Sequence, residues 1–298
     1  MEVDKMKAID DHYHYEPDMF PLERMIRAMD SNEIEKTALI ARMCEPFYLD
    51  TEFKKEATGA LRLLLSLREP TGNMLYEGTV DSEGNFVLDP LTGETYKIYA
   101  QPDNSEIAEV IERYPDRFYG WIFINPAGPK DPMKEIEKYI SIPQMIGVKT
   151  HPWWHQYPIA KLDEVAKWCE ENEYPIQVHL GVREMGDYRH LPEKFPDLKI
   201  VYLHAGVPFF SEVWDFADEH SNVFFDLSSP YNDNAIVKDA VNTLGAKRCL
   251  YGTDGPYGYQ NQGEDYDFGL IKGWIENLPI STEDKEKILK KNFEGLIG

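Results

Sequence analysis

The chain has 298 residues, 42% of them hydrophobic and 28% charged, a balance that excludes a mainly disordered polypeptide and provides for a sizeable core. Asp and Glu outnumber Lys and Arg by 53 to 31, and a formal charge of −22 repels nucleic-acid phosphates and anionic lipid surfaces, so neither partner is expected. Cys44, Cys169 and Cys249 are dispersed and form no CxxC pair, and no secretory leader or membrane-length apolar run stands out, so a soluble protein of the cytoplasm is expected.

In chain order, short apolar runs recur at 7–15 (KAIDDHYHY), 36–42 (KTALIAR), 117–126 (RFYGWIFINP), 145–152 (MIGVKTHP), 175–181 (PIQVHLG), 199–206 (KIVYLHAG), 223–230 (VFFDLSSP) and 249–256 (CLYGTDGP). Their centres are nearly continuous in apolar residues, as expected of parallel strands buried on both faces. Amphipathic stretches with apolar residues at three- and four-residue spacing lie at 21–34, 103–115, 131–141, 159–172, 207–220 and 233–245. Eight strands alternating with helices predict an α/β fold, a (β/α)8 TIM barrel. An open doubly wound sheet competes, but it ordinarily carries a glycine-rich phosphate turn after its first strand, and DDHYHYEPD has none.

Residues 43–116 between the second and third strands are too many for a simple loop. Within them 50–68 reads as a helix, 73–99 as a small antiparallel meander with turns at DSEGN and DPLTGE, and 104–114 as a second helix. The expectation is a single domain, 1–298, with 43–116 an insertion on the catalytic face, where strand-to-helix connections emerge. A lid or pocket wall and a surface decoration or dimer contact are both open roles for it.

The ends of the strands carry the chemistry. His12 and His14 alternate onto one face of the first strand, where two imidazoles can reach one ion. An isolated HxH is more often a pair of core or surface histidines. Here, however, His179 and His204 end the fifth and sixth apolar runs, and Asp254 follows the eighth. Four strands ending in metal-competent side chains, all at the catalytic end of a barrel, point to a metal site. Arg42 ends the second strand and Arg183 follows the fifth. Either could clamp a substrate carboxylate, with a surface salt bridge as the alternative. Lys149 and His151, two apart on GVKTHP, could both face the barrel mouth. Trp153 and Tyr257, with Tyr13, Tyr15 and Trp154, crowd the strand ends and could wall a ring-shaped substrate. His155 reads as part of a polar rim, and His190 and His220 as surface residues.

HxH on the first strand, VHLG on the fifth, LHAG on the sixth and YGTDGP on the eighth together resemble the amidohydrolase superfamily. More narrowly, with FPDLKIVYLHAG, RCLYGTDGP and the closing ILKKNFEGLIG, the chain is similar to the amidohydrolase-2 branch of metal-dependent TIM-barrel hydrolases. That branch includes aminocarboxymuconate semialdehyde decarboxylase and related aromatic-acid decarboxylases. The resemblance runs from residue 7 to the end and leaves most of 43–116 uncovered. It implies that His12, His14, His179 and Asp254 hold one divalent ion, with zinc the first choice and manganese the alternative. It further implies that His204 acts as general base or acid near a water activated by the ion, and that Asp254 both ligates and accepts a proton. Some superfamily members carry a carbamylated lysine at the position of Lys149 that bridges two metals. In this branch such a lysine is common without that role, so one ion is expected.

The implied activity is metal-dependent hydrolysis of a small carboxylate-bearing or cyclic substrate. Non-oxidative decarboxylation of an aromatic or unsaturated acid is the alternative. A barrel that has lost catalysis and serves as a scaffold is a third reading, disfavoured by the complete ligand set. Similar proteins are commonly homodimers, and the insertion could supply such an interface.

Overall fold

In chain order the strands are β1 (Ala8–His14), β2 (Ile34–Ile40), β3 (Asn85–Asp89), β4 (Glu94–Lys97), β5 (Phe118–Phe123), β6 (Met145–Thr150), β7 (Ile176–Val178), β8 (Ile200–Tyr202), β9 (Val223–Asp226) and β10 (Cys249–Leu250). These come from a computed structural model of the chain, which describes residues 6–49, 52–89, 93–228, 230–257 and 267–298. Eight strands form one parallel sheet in the order β1-β2-β5-β6-β7-β8-β9-β10. The Asp11 amide donates to the Tyr251 carbonyl (3.0 Å) and the His14 amide to the Gly255 carbonyl (2.7 Å), joining the last strand to the first. The architecture is a (β/α)8 TIM barrel, and each of the eight apolar runs supplies one of its strands.

All seven residues of β1 and all six of β6 are buried, which is why these strands lack the polar alternation of a one-faced sheet. Helices fill the connections: α1 (Leu22–Ser31), α2 (Glu52–Ser66), α3 (Pro70–Glu77), α4 (Ser105–Arg113), α5 (Pro132–Tyr139), α6 (Asp163–Glu171), α7 (His190–Lys194), α8 (Ser211–Ala217), α9 (Asn234–Leu244) and α10 (Gly269–Glu276). Local signals set their ends. Asp131 caps α5 by accepting from the amides of Met133 and Lys134, and Asp233 caps α9 in the same way through Ala235 and Ile236. No helix among the described residues is long and apolar enough to cross a membrane.

Between β2 and β5 the chain runs through α2, α3, the antiparallel β3–β4 hairpin and α4. The sequence predicts a meander from residue 73, but 73–77 continue α3. Pro70 in the first turn presets a helical φ and lacks only an amide that a helix start leaves unpaired. The DSEGN turn forms as expected: the Asp81 carboxylate accepts from the amides of Glu83 and Asn85, and Gly84 takes a φ of 81°. Residues 90–92 of the predicted DPLTGE turn, and 50–51 at the start of the predicted first helix, lie outside the described residues.

Three strands stop just short of the residues expected at the site. His179, His204 and Asp254 follow β7, β8 and β10 by one, two and four positions, all at the carboxyl end of the barrel. There the backbone tightens: His204, Ala205 and Asp254 adopt φ of 51°, 54° and 55°, a left-handed conformation that costs a non-glycine residue roughly 1–2 kcal/mol. Such clustered cost is typical where surrounding structure fixes a functional geometry.

Candidate metal centre and pocket

β1 delivers His12 and His14 side by side. Their Nε2 atoms lie 3.3 Å apart, and Asp254 Oδ1 stands 3.3 Å from His12 Nε2 and 3.6 Å from His14 Nε2. The loop after β10 is locked to β1. Asp10 accepts from the Thr253 amide (3.0 Å) and hydroxyl (2.6 Å), and the Asp254 amide donates to the His12 carbonyl (2.8 Å). Gly252 allows this approach, because a Cβ there would run into the carboxylates of Asp226 and Asp11.

The outer nitrogens of both histidines are already engaged. Ser228 donates its hydroxyl proton to Asp226 Oδ1, so its oxygen accepts from His12 Nδ1 at 3.1 Å and from His204 Nδ1 at 2.9 Å. His14 Nδ1 faces the Ala41 carbonyl at 3.4 Å. Protons on both Nδ1 atoms leave the two Nε2 lone pairs facing each other beside a carboxylate. Burial holds His12 and His14 well below the usual imidazole range, so both are neutral, the form that ligates. Tetrahedral ligands about 2.0–2.1 Å from a zinc ion stand about 3.3 Å from one another. The chemistry and spacing of the three donors therefore fit a divalent ion. The carboxyls of Asp10, Asp11 and Asp226 are buried close by. Burial raises Asp10 to about 8 and Asp11 well above the carboxylate range, with the Asp226 charge raising both further.

The structure places the other expected residues as follows. His204 is buried and, with burial lowering it to about 4, neutral; its ring centroid lies 5.2 Å from that of His12. His179 is not drawn into the His12–His14–Asp254 cluster. Tyr76, from α3, donates to the Leu180 carbonyl (3.2 Å), and its oxygen lies 3.0 Å from His179 Nε2. The His151 ring stacks on His179 at 4.0 Å. Its Nδ1 accepts from the Trp154 amide (3.0 Å), and its buried Nε2 meets no protein partner. Lys149 lies inside the barrel with its ammonium likewise unpartnered, and burial brings it down to about 7 against the opposing pull of Asp254, Asp226 and Asp11.

His151, His179, His204 and Asp254 form the floor of a pocket of about 330 Å³ whose lining also includes Trp154 and Tyr257. The Tyr257 hydroxyl donates to the buried Glu16 (3.0 Å), while its ring stacks on Phe47 at 4.6 Å. Trp153 does not line the pocket itself; its indole donates to the hydroxyl of the lining residue Thr79 (3.1 Å). Arg42 and Arg183 do not line the pocket either. Arg42 is held by Glu106 (3.0 Å) and Asp18 (2.7 Å), and Arg183 by Glu77 (2.9 Å).

Sequence reasoning missed Asp226, Ser228, Tyr76 and Tyr231. Asp226 was readable, since VFFD ends its strand in a carboxylate as the others end in histidine. Tyr231, whose ring lies 5.4 Å from that of His204, and Tyr76 sit in irregular or inserted segments that carry no periodic signal.

A family model described as amidohydrolase matches residues 60–294, covering β3 to β10 and leaving β1 and β2 outside the match. Among solved structures, the chain is similar to an uncharacterized TIM-barrel protein from Bordetella bronchiseptica (20% identity, 98% of each chain covered, TM-score 0.64). It is also similar to 4-oxalomesaconate hydratase from Rhodopseudomonas palustris (14% identity, 97% of this chain and 95% of that one, TM-score 0.60). A third likeness is to a dihydroxybenzoic acid decarboxylase from a Polaromonas species with bound manganese and 2-nitroresorcinol (16% identity, 98% and 96% covered, TM-score 0.55). At these identities the likeness is one of fold. No curated protein matches the chain. With the family match spanning most of the sequence and a barrel that presents histidines and an aspartate at its catalytic end, the chain belongs to the amidohydrolase family of enzymes, in its amidohydrolase-2 branch.

Proposed function

We propose that the chain is a metal-dependent hydrolase of a small molecule, with one divalent ion held by His12, His14 and Asp254 and with His179 as the adjoining fourth donor. The observation that carries this reading is the 3.3 Å approach of His12 Nε2 to His14 Nε2 while both Nδ1 atoms are engaged elsewhere. Nitrogen-rich ligation at tetrahedral spacing favours zinc, and the manganese in the Polaromonas decarboxylase keeps that ion as the alternative. A bound ion supplies Lewis acidity to a water and to a substrate oxygen.

The chain's own residues supply the rest. His204 is fixed by Ser228 through Nδ1 and offers Nε2 to move a proton at the pocket floor. His151, with Nδ1 accepting from Trp154, presents Nε2–H as a donor to a substrate oxygen. In this reading 1–298 is one unit. Its insertion, 43–116, walls the catalytic face through Met43, Phe47, Leu61 and Phe86 and keeps water from the reacting atoms.

Decarboxylation is the second reading. It is favoured by the aromatic walls, where Phe86 stacks on Trp154 at 4.8 Å and Trp154 in turn on His151 at 5.1 Å. Zinc- and manganese-loaded protein offered aryl esters, lactones, anilides and o-hydroxybenzoates separates the two. Hydrolysis of one of the first three supports the proposal. Carbon dioxide release from the hydroxybenzoates alone reverses the ranking, and a protein that takes up neither ion overturns both.

A further inference from the structure

Above its polar floor the pocket is apolar, and the insertion makes most of it: Met43, Phe47, Leu49, Leu61, Phe86 and Leu88 face the cavity. Leu75, half exposed, extends the same surface to the mouth. No Lys or Arg among the described residues lines the cavity. The internal segments outside the description, 50–51, 90–92, 229 and 258–266, contain neither residue type in the sequence. Four of the cations on the insertion and the neighbouring loops are committed to carboxylates: Arg42 to Glu106 and Asp18, Lys54 to Glu94, Arg62 to Asp233 and Arg183 to Glu77.

Building on the metal-centre reading, we infer that the substrate has a single anionic or oxygen-rich head, met at the barrel floor, and an uncharged aryl or alkyl-aryl body, and that a second carboxylate is rejected. A carboxylate drawn against these apolar walls loses its water and gains no cationic partner, which disfavours it strongly. Each methylene buried there strengthens binding about fourfold. The rings of Phe47 and Tyr257, and of Phe86 and Trp154, supply flat walls suited to an aromatic body.

Calorimetry on the zinc-loaded protein tests this with three hydroxamates that share one metal-binding head: benzohydroxamate, 4-butylbenzohydroxamate and 4-carboxybenzohydroxamate. The inference predicts that the butyl compound binds on the order of 100-fold tighter than the parent and that the carboxy compound binds at least tenfold more weakly. Leu75→Arg, at an exposed position, narrows that gap by placing a cation at the mouth. If benzohydroxamate binds but the butyl group adds nothing, or the carboxy compound binds as well as the parent, the inference falls and the metal centre stands. If benzohydroxamate itself does not bind, the metal-centre reading falls and takes this inference with it.

Discussion

The Nε2 atoms of His12 and His14 stand 3.3 Å apart, while their Nδ1 atoms turn outward, to the Ser228 hydroxyl and the Ala41 carbonyl. In the proposed reading the two neutral imidazoles turn their lone pairs towards one ion. The residues behind them therefore matter as much as the ligands themselves.

Ser228→Ala tests that support. It removes the acceptor shared by His12 and His204, leaving buried donors unpaired at a cost of about 1–3 kcal/mol. The expected outcome is a roughly 10- to 100-fold loss of zinc affinity by chelator competition, with an unchanged circular dichroism spectrum. Unchanged affinity would make Ser228 a packing residue only.

His179 and Tyr76 form a pair whose separate replacement is informative. If His179 is a ligand, His179→Ala weakens ion binding at least tenfold, whereas Tyr76→Phe, which frees His179 Nε2 from its hydrogen bond, does not weaken it. Equal losses in both variants would mean that the Tyr76–His179 contact itself, rather than ligation by His179, supports the site.

Acid stability follows from a buried histidine outside the ligand cluster. Burial lowers His155 from 6.5 to about 4, so between those values the unfolded chain takes up a proton that the folded one refuses. Its contribution to stability is complete above pH 6.5 and is lost as the pH falls towards 4. Each such proton changes the unfolding free energy by about 1.4 kcal/mol per pH unit. In urea titrations at pH 7 and pH 5, His155→Phe should lose about 2 kcal/mol less than the parent on acidification. An identical loss in both proteins would assign the acid sensitivity elsewhere.

Two glycines make a matched comparison. Gly252→Ala drives a methyl group into the Asp226 and Asp11 carboxylates, so it should lower stability by about 2 kcal/mol or more and reduce ion binding. Gly273→Ala, within α10 and with open space around its Cβ position, should stabilise by about 0.5–1 kcal/mol. Thermal melts of the two variants check both signs.

The barrel was legible because its strands are buried on both faces, as at β1 and β6, where nothing but a continuous apolar run serves. The placement of His12, His14, His204 and Asp254 at the carboxyl end of the barrel was legible because each lies in or directly after an apolar strand. The hydrogen-bonded shell was less so. Ser228 acts through Asp226 on histidines 216 and 24 positions away, a link no local spacing encodes. The ties of Arg42 to Glu106 and of Arg183 to Glu77 span 64 and 106 positions, so the sequence left a carboxylate clamp and a salt bridge both open, and the fold pairs both arginines. At α3 the competing signal was local: a proline at the helix start outweighed the strand-like NMLY.

The most direct test of the metal centre is anomalous diffraction from crystals grown with zinc, recorded on both sides of the zinc edge. One fully occupied peak among His12 Nε2, His14 Nε2 and Asp254 Oδ1 is the predicted result. A zinc-saturated crystal with no peak there, or with its only ordered ion elsewhere on the barrel, would contradict it.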